Sequence, residues 1–466
     1  MAISTTHPKA TDYSQVLPLM AEHIQAALSS VSTVETLAPE LQRLVVELPP
    51  IDSLAWLQVQ AATDRMYWSD REGVFETAGI GVADLIEPSH HDSDNTPWPS
   101  RSNHDPAEGG SMRYFGGHRF CNRSGNADQL WSDFATCRFV LPRFELYRAD
   151  ERCWFVCNLR LQADHEHCAE ILNALSVVVF PDAQQPSDLS PMIDRTDLPD
   201  RAGWESTVHH VLRAVKDGSL SKVVLARRSD LLFERTVDPV RLLRRLKDRS
   251  VDCFHFLFQF DSPAAFVGAS PERLFRRSGR RIESEAVAGT RPRGATADED
   301  LQMEQELINS RKDIIEHRFV VEDISRVMTH LCSEWQTLDH DDTDSLMKLA
   351  RVQHLITRLE GQLDNGRSDM DIASMLHPTS AVGGVPTENA LRMIDELEPF
   401  DRGWYAAPVG WLSRDSAEFA VAIRSGLVAG RAVHLYSGAG IVDGSSAEDE
   451  WREIDSKLAN FLAALG

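Results

Sequence analysis

A single lysine stands at the start of an apolar run in the middle of the chain. Lys222 is followed by four apolar residues, 223–226, in a pattern typical of a buried strand. Lysine is rarely buried unless its charge is paired. Lys222 is therefore either a solvated residue at a strand end or an amine held inside a site for its chemistry. The octamer SKVVLARR on its own favours the solvated lysine.

A second group of candidate residues lies on the helix predicted at the C-terminus. Glu450, Glu453 and Lys457 are spaced so that they share one face of this helix. A different face carries the apolar stripe of Trp451, Ile454, Leu458 and Phe461. An isolated Glu–Lys pair four residues apart is usually a solvated pair of little energetic value.

The glycine-rich segment before that helix favours a functional interpretation. Gly438 and Gly440 allow a ligand to approach the backbone closely, because they carry no side chain. The N-terminus of the helix behind them attracts anions. A site for an anionic small molecule is therefore predicted where this segment meets the helix.

Helices and strands must position these residues, and the first half of the chain is predicted to contain both. Residues 1–45 are predicted to be helical, because their apolar positions have helical spacing. Residues 52–86 are predicted to contain strands, one of them at 54–60. Two further strands are predicted at 138–148 and 153–162.

Two polar segments of this half are predicted to lie outside its regular elements. The turn-rich segment 88–111 is expected to form a long surface loop. Residues 187–201 are either a connection between two halves or an ordinary loop within one domain.

The second half alternates strands with helices. The predicted strands are 253–260, 264–270, 351–363, 418–428 and 432–442, the last two joined by a turn at 429–431. The predicted helices are 238–248, one long helix from Thr296 through Leu331, 387–397 capped by Thr387, and 445–465 with a capping box of Ser445 and Glu448. Strands joined by short turns, with helices grouped between them, indicate an α+β protein with antiparallel sheets.

Composition narrows the functional classes. The chain has 466 residues and a formal net charge of −23, which argues against a general nucleic-acid binder or a peripheral membrane protein. It contains no apolar stretch of about 18 residues and no N-terminal signal-like segment. Its seven cysteines form no recognisable disulfide or zinc pattern. We therefore expect a cytoplasmic enzyme without a nucleic-acid or membrane partner.

Eight motifs, in order, resemble those of the chorismate-utilising enzymes, a family that includes anthranilate synthase component I, isochorismate synthase and salicylate synthase. The motifs are SKVVLAR, FVGASPERLF, EAVAGTRPRG, RKDIIEHRFVVEDI, LHPTSAVGGVPTENAL, PVGW, FAVAIRS and GAGIVDGSSAEDEWREIDSK. The resemblance covers roughly 205–466 and is weaker before it. It implies one large α+β fold of two packed antiparallel sheets flanked by helices, with 1–200 as its N-terminal part and 201–466 as its chorismate-binding catalytic part.

The resemblance also implies a reaction and its principal residues. Family members add a nucleophile to carbon 2 of chorismate and remove the carbon 4 hydroxyl. By this likeness Lys222 would be the base that activates water, and Glu272 the acid that protonates the departing hydroxide. Glu316 and Glu453 would bind Mg²⁺. For these roles burial would have to lower the pKa of Lys222 and raise that of Glu272.

The remaining implied residues would contact the substrate. They are Gly289, Thr290, His377, Arg424, Gly438, Gly440 and Lys457. Among them Arg424, Lys457 and the backbone amides near Gly289 and Gly440 match contacts to the substrate carboxylates. His377 is equally compatible with a structural role, because a single histidine is more often structural.

One family position is informative because of the group it lacks. Ala288 stands where aminodeoxychorismate synthases carry a nucleophilic lysine. A methyl group cannot attack the ring, so the nucleophile must come from outside the chain. Because Lys222 stands where isochorismate and salicylate synthases carry the lysine that activates water, the resemblance implies water as nucleophile and isochorismate as product, without a glutaminase partner. The alternatives are salicylate synthase, then anthranilate synthase component I, and last a chorismate-binding protein without activity.

Overall fold

The computed structural model describes residues 8–31, 40–87, 110–121, 129–181, 189–338, 346–349, 352–364 and 366–466. Of the loop predicted at 88–111, residues 88–109 lie outside the described residues.

Helices of the described residues cover the surface of an extended sheet. They are α1 (Val16–Ser29), α2 (Ser53–Val59), α3 (Leu161–His165), α4 (Cys168–Ser176), α5 (Arg201–Lys216), α6 (Pro239–Lys247), α7 (Ala297–Ile308), α8 (Arg311–Leu331), α9 (Asp369–Leu376), α10 (Thr387–Leu397) and α11 (Ala447–Leu465). Among the helices in these ranges, none is both long enough and apolar enough to cross a membrane.

The strands of the described residues pair antiparallel throughout. They are β1 (Leu41–Leu48), β2 (Arg65–Ser69), β3 (Phe75–Ile86), β4 (Tyr114–His118), β5 (Cys137–Ala149), β6 (Arg152–Arg160), β7 (Met192–Leu198), β8 (Lys222–Phe233), β9 (Phe254–Gln259), β10 (Ala264–Ser270), β11 (Arg273–Ser278), β12 (Arg281–Pro292), β13 (Cys332–Thr337), β14 (Leu346–Lys348), β15 (Val352–Leu363), β16 (Gly384–Val385), β17 (Pro408–Leu412), β18 (Ser416–Val421), β19 (Ser425–Ala429) and β20 (Ala432–Ile441). Their pairings connect them into one hydrogen-bonded network.

Both halves of the chain contribute to this network and to one core. Strand β2 pairs with β9, and β4 pairs with β17, so ladders cross the boundary near residue 200. The buried ring of Trp131 donates a hydrogen bond of 3.2 Å to the hydroxyl of Tyr436, and both belong to one continuous hydrophobic core. The α+β fold with antiparallel pairing, predicted from the sequence, is confirmed. The segment 187–201, weighed above as a connection between halves, contains β7, which pairs with β8.

Several element predictions in the first half need correction. Within 1–45 the described residues form α1 and then the start of strand β1, so the fully helical prediction is wrong. The run 54–60, predicted as a strand, lies mostly in α2, whose N-cap Asp52 accepts a hydrogen bond from the backbone N–H of Ala55. An apolar run of this length does not distinguish strand from helix by periodicity, and the cap decides it.

Two elements predicted as continuous in the second half are each interrupted in the structure. The long helix predicted from Thr296 is two helices, because Ser310 caps a new one by accepting from the backbone N–H of Asp313. Thr296 does form the capping box that begins α7. The strand predicted at 418–428 is interrupted after Val421, so Arg424 lies between β18 and β19.

Two predicted caps are displaced by one residue. Helix α10 is preceded by Pro386, and Thr387 is its first residue rather than its cap. Helix α11 is capped by Ser446, whose hydroxyl accepts from the backbone N–H of Asp449. Ser445 instead accepts a hydrogen bond from the backbone N–H of Val442. The predicted apolar stripe of α11 is buried as expected.

Candidate active site

A narrow cavity of about 110 Å³ collects most of the residues predicted for the site. Those that line it are Glu272, Gly289, Thr290, Glu316, Arg424, Gly438, Glu453 and Lys457. They come from the ends of β10 and β12, the break between β18 and β19, strand β20, and helices α8 and α11. Elements far apart in the sequence therefore meet at one place.

Lys222 is completely buried and does not line this cavity, but it lies next to Glu316, which does. It is the first residue of β8, and it pairs in register with Val385 of β16. Its ammonium lies 3.1 Å from Oε1 of Glu316 but donates no well-aligned hydrogen bond to any described residue. The solvated lysine, favoured by the octamer alone, is excluded by this burial.

Gly440 explains how Glu316 and Lys222 come together. A Cβ placed on Gly440 would lie 2.7 Å from Oε1 of Glu316 and 3.1 Å from Cε of Lys222. The first distance is too short for two non-bonded atoms. The missing side chain thus leaves room for these two side chains, rather than only for a ligand as the sequence suggested.

Glu272 is a buried carboxyl that favours its protonated form. It lies between β10 and β11, where Ser270 and Val421 hold its backbone by hydrogen bonds of 3.3 and 3.0 Å. Burial, followed by the negative charge of Glu285, raises the pKa of Glu272 to about 7, although Lys222 and other cations oppose the shift. The expected increase in the pKa of Glu272 is therefore present, and the group is suited to donate a proton near neutral pH.

Two carboxylates at the cavity could hold a divalent cation. Glu316 extends from α8 and Glu453 from α11, and both line the same space. Burial alone would raise the pKa of Glu453, but the charge and hydrogen bond of Lys457 at 2.7 Å outweigh it and lower that pKa. The described residues contain no group of three or more His, Cys, Asp and Glu suited to a metal. This donor set fits Mg²⁺, which often takes only one or two protein carboxylates and completes its shell with water and substrate.

Lys457 links helix α11 to the glycine-rich strand β20. Its ammonium donates a hydrogen bond of 2.9 Å to the carbonyl oxygen of Gly438 and forms the ion pair with Glu453. Burial lowers the pKa of Lys457, but the neighbouring carboxylate of Glu453 more than compensates and raises it. Lys457 is therefore a stable cation at the cavity, as an anionic substrate requires.

Arg424 is positioned by a histidine that the sequence analysis did not single out. His354 of β15 lies with Nδ1 3.0 Å from the carbonyl oxygen of Gly289 and 3.1 Å from the hydroxyl of Thr290. Its Nε2 lies 3.2 Å from Nη2 of Arg424. A carbonyl can only accept and a guanidinium can only donate, so Nδ1 carries the proton and Nε2 accepts. Burial, reinforced by the charge of Arg424, lowers the pKa of His354 to about 3 and keeps it neutral.

An interruption in the β12–β15 ladder brings these groups together. The register shifts between Ala288 and Arg291, and Gly289 has φ of +69°, a conformation that glycine adopts without strain. His354 gave no sequence signal, because its partners Gly289 and Arg424 are each more than 60 residues away. A histidine inside an apolar strand is otherwise unremarkable.

His377 and Gly440 are the two predicted substrate contacts that are absent from the described cavity wall. Gly440 instead lies against Glu316 and Lys222, and His377 packs against Phe120. The His377 ring meets Phe120 edge-on at 5.2 Å between centroids, and Nε2 of His377 lies 3.2 Å from the Phe120 carbonyl oxygen. These contacts are compatible with the structural role weighed for His377, and its contact with a substrate stays a prediction.

Comparison with known proteins places the chain in a family. The sequence model of the protein family described as "Chorismate binding enzyme" matches residues 26–466 of this chain. Isochorismate synthase MenF from Bacillus subtilis is 32% identical over 91% of this chain and 92% of that protein. Isochorismate synthase 2 of Arabidopsis thaliana is 33% identical over 83% of this chain and 70% of that protein.

A solved structure extends the similarity to the fold. The structure of MenF, the menaquinone-specific isochorismate synthase from Escherichia coli, covers 97% of this chain and 99% of its own. It has a TM-score of 0.80 and 28% sequence identity to this chain. The chain belongs to the chorismate binding enzyme family.

Proposed function

We propose that this chain is an isochorismate synthase that converts chorismate reversibly to isochorismate. One observation carries this proposal. A fully buried lysine, Lys222, lies 3.1 Å from the cavity residue Glu316, and the same cavity contains the buried Glu272, whose pKa is raised to about 7. The relatives described above that are named isochorismate synthases support the same reaction.

The two residues divide the proton transfers between them. Lys222 takes a proton from water as its oxygen forms a bond to carbon 2. Glu272 gives its proton to the hydroxyl that leaves carbon 4, so hydroxide departs as water. One water enters and one leaves, and the reaction is an isomerisation. Ala288, which lines the cavity, offers no competing nucleophile.

The cations and carboxylates hold the substrate in place. Chorismate carries two carboxylates, and Arg424 and Lys457 supply positive charge at the cavity. Glu316 and Glu453 would hold Mg²⁺, which would neutralise a substrate carboxylate and polarise the conjugated ring. His354 keeps Arg424 directed at the cavity without adding a charge of its own.

The test is chromatography of the purified protein incubated with chorismate, with and without Mg²⁺ and ammonium. We expect Mg²⁺-dependent, reversible formation of isochorismate without pyruvate. Salicylate together with pyruvate would replace the proposal with salicylate synthase. Anthranilate that forms only with ammonium would contradict the role given to Lys222.

A further inference from the structure

A buried ionic network lies directly behind Glu272. At its centre is Glu285 of β12, which is 5% exposed. Arg71 donates to both oxygens of Glu285, at 2.7 and 2.8 Å. Arg273 of β11 donates to Oε1 of Glu285 at 3.0 Å. Such bidentate guanidinium–carboxylate contacts fix the orientation of both partners.

This network holds the chain on both sides of Glu272. On one side, Nη1 of Arg71 contacts Glu285 and also donates a hydrogen bond of 2.8 Å to the carbonyl oxygen of Pro271. On the other side, Arg273 is the residue that directly follows Glu272, and its side chain is held by Glu285 together with Glu418 of β18. Both neighbours of Glu272 are therefore attached to one carboxylate, that of Glu285.

The charges around Glu272 differ in sign and place. Lys222, Lys457 and Arg424 act on it from the cavity and favour its ionised form. Glu285 acts from behind and favours its protonated form, and it is the largest influence after burial. The hydroxyl of Tyr405 also borders the cavity and interacts with Glu272, but its own pKa is raised by burial and it stays neutral.

We infer that Glu285 is a positioning residue for the proposed acid, holding the backbone of Glu272 and placing a negative charge behind it that retains its proton. The inference rests on the proposed function, because it concerns the same proton transfer. It assigns a task to a residue that does not line the cavity. Arg71 and Arg273 are the groups through which Glu285 acts on the backbone.

The test compares the pH dependence of kcat/KM for chorismate in the wild type and in Glu285→Gln. In the wild type, kcat/KM is expected to fall as pH rises through the pKa of free Glu272, because the ionised acid cannot protonate hydroxide. The Gln side chain still accepts a hydrogen bond but removes the charge. The alkaline limb of the kcat/KM profile, where the rate falls with rising pH, should therefore move to lower pH by about one unit.

Two companion variants separate charge from geometry. Glu285→Asp keeps the charge on a shorter side chain, so kcat should fall several-fold while the alkaline limb stays near the wild-type position. Glu72→Gln is the matched control, because Glu72 also contacts Arg273, at 2.6 Å, but is 38% exposed. Its alkaline limb should not move.

An unshifted limb in Glu285→Gln, or an equal shift in Glu72→Gln, would overturn the inference. If Glu285→Gln does not fold, Glu285→Asp decides, and unchanged kcat in that variant overturns it. Failure of the proposed function is distinguishable, because the wild type would then form no isochorismate at any pH.

Discussion

Charged side chains are buried in two regions of this protein, and the two regions treat them differently. In the N-terminal half, Arg43 of β1 donates to both oxygens of Glu145 on β5, at 2.7 and 3.3 Å. Asn158 and Thr77 donate to the same carboxylate. Arg43 and Glu145 are each no more than 2% exposed, and the carboxylate is surrounded by protein donors.

At the candidate active site the charges are incompletely matched. Lys222 lies 3.1 Å from Glu316 but donates no well-aligned hydrogen bond to a described residue. The carboxyl of Glu272 has its pKa raised to about 7 by burial and by Glu285. The difference indicates that the buried charges of the first region stabilise the structure, whereas those of the second region remain available to interact with a ligand.

Removal of the buried lysine should have the largest effect. Lys222→Ala removes the proposed base, and we expect kcat/KM for chorismate to fall about 10²- to 10⁴-fold. The fold should persist, because the side chain contributes an amine and a short aliphatic stem rather than a large part of the core. Isochorismate assays and circular dichroism check both statements. Near-normal isochorismate output would refute the mechanism.

The opposite result is expected in the N-terminal half. Arg43→Met leaves Glu145 as a buried charge without its cation, which should destabilise the protein by about 3–5 kcal/mol. Activity per folded molecule should be unchanged. The double variant Arg43→Met, Glu145→Met should recover part of the lost stability, because it removes both charges. Urea unfolding measures these differences. Lost activity in a fully folded single variant would contradict the division between the regions.

The sequence predicted the cavity better than it predicted the local elements. Motif resemblance selected eight residues that do line one space, and the apolar stripe of α11 is buried as its spacing indicated. Local patterns failed where one capping side chain decides the outcome. Asp52 begins a helix in a run predicted as a strand, and Ser310 divides a helix predicted as continuous.

The residues that support the site could not be predicted from the sequence. Arg71 and Glu285 are 214 positions apart and meet only because the strands fold together. Arg424 has φ of +49°, a conformation that arginine rarely adopts and that no turn residue announces. Periodicity describes which face of an element is buried, and it contains no information on which distant charges meet there.

A smaller effect is expected on the pH dependence of the free energy of unfolding, through the buried carboxyl of Glu272. The pKa of Glu272 is raised in the folded state, so the folded protein holds this proton more tightly than the unfolded chain does. Its contribution to stability is therefore present at low pH and is lost as pH rises from about 4.5 to about 7. Glu272→Gln lacks this loss and should be more stable than the wild type by about 3 kcal/mol at pH 8.

The comparison at low pH provides the control for Glu272→Gln. At pH 4 the wild-type carboxyl is protonated in both states, and the two proteins should unfold at nearly the same urea concentration. Every other titrating group is common to both, so the change in their difference between pH 4 and pH 8 isolates Glu272. A difference in stability that is independent of pH would contradict the raised pKa.

The smallest expected change concerns metal binding. It tests whether a carboxylate of the candidate active site can exchange its protein partner for a cation. Glu453 is paired with Lys457 at 2.7 Å and is about one third exposed, so a cation at the cavity can compete for it. Glu453→Gln should raise the Mg²⁺ concentration needed for thermal stabilisation at least about tenfold, without substrate present. Glu448→Gln is the control, since Glu448 pairs with Arg452 on the solvent side of the same helix. Equal Mg²⁺ titrations in the wild type and both variants would mean that α11 does not bind the metal. Glu453 would then be only the ion-pair partner of Lys457, a structural role like that of Glu145 toward Arg43.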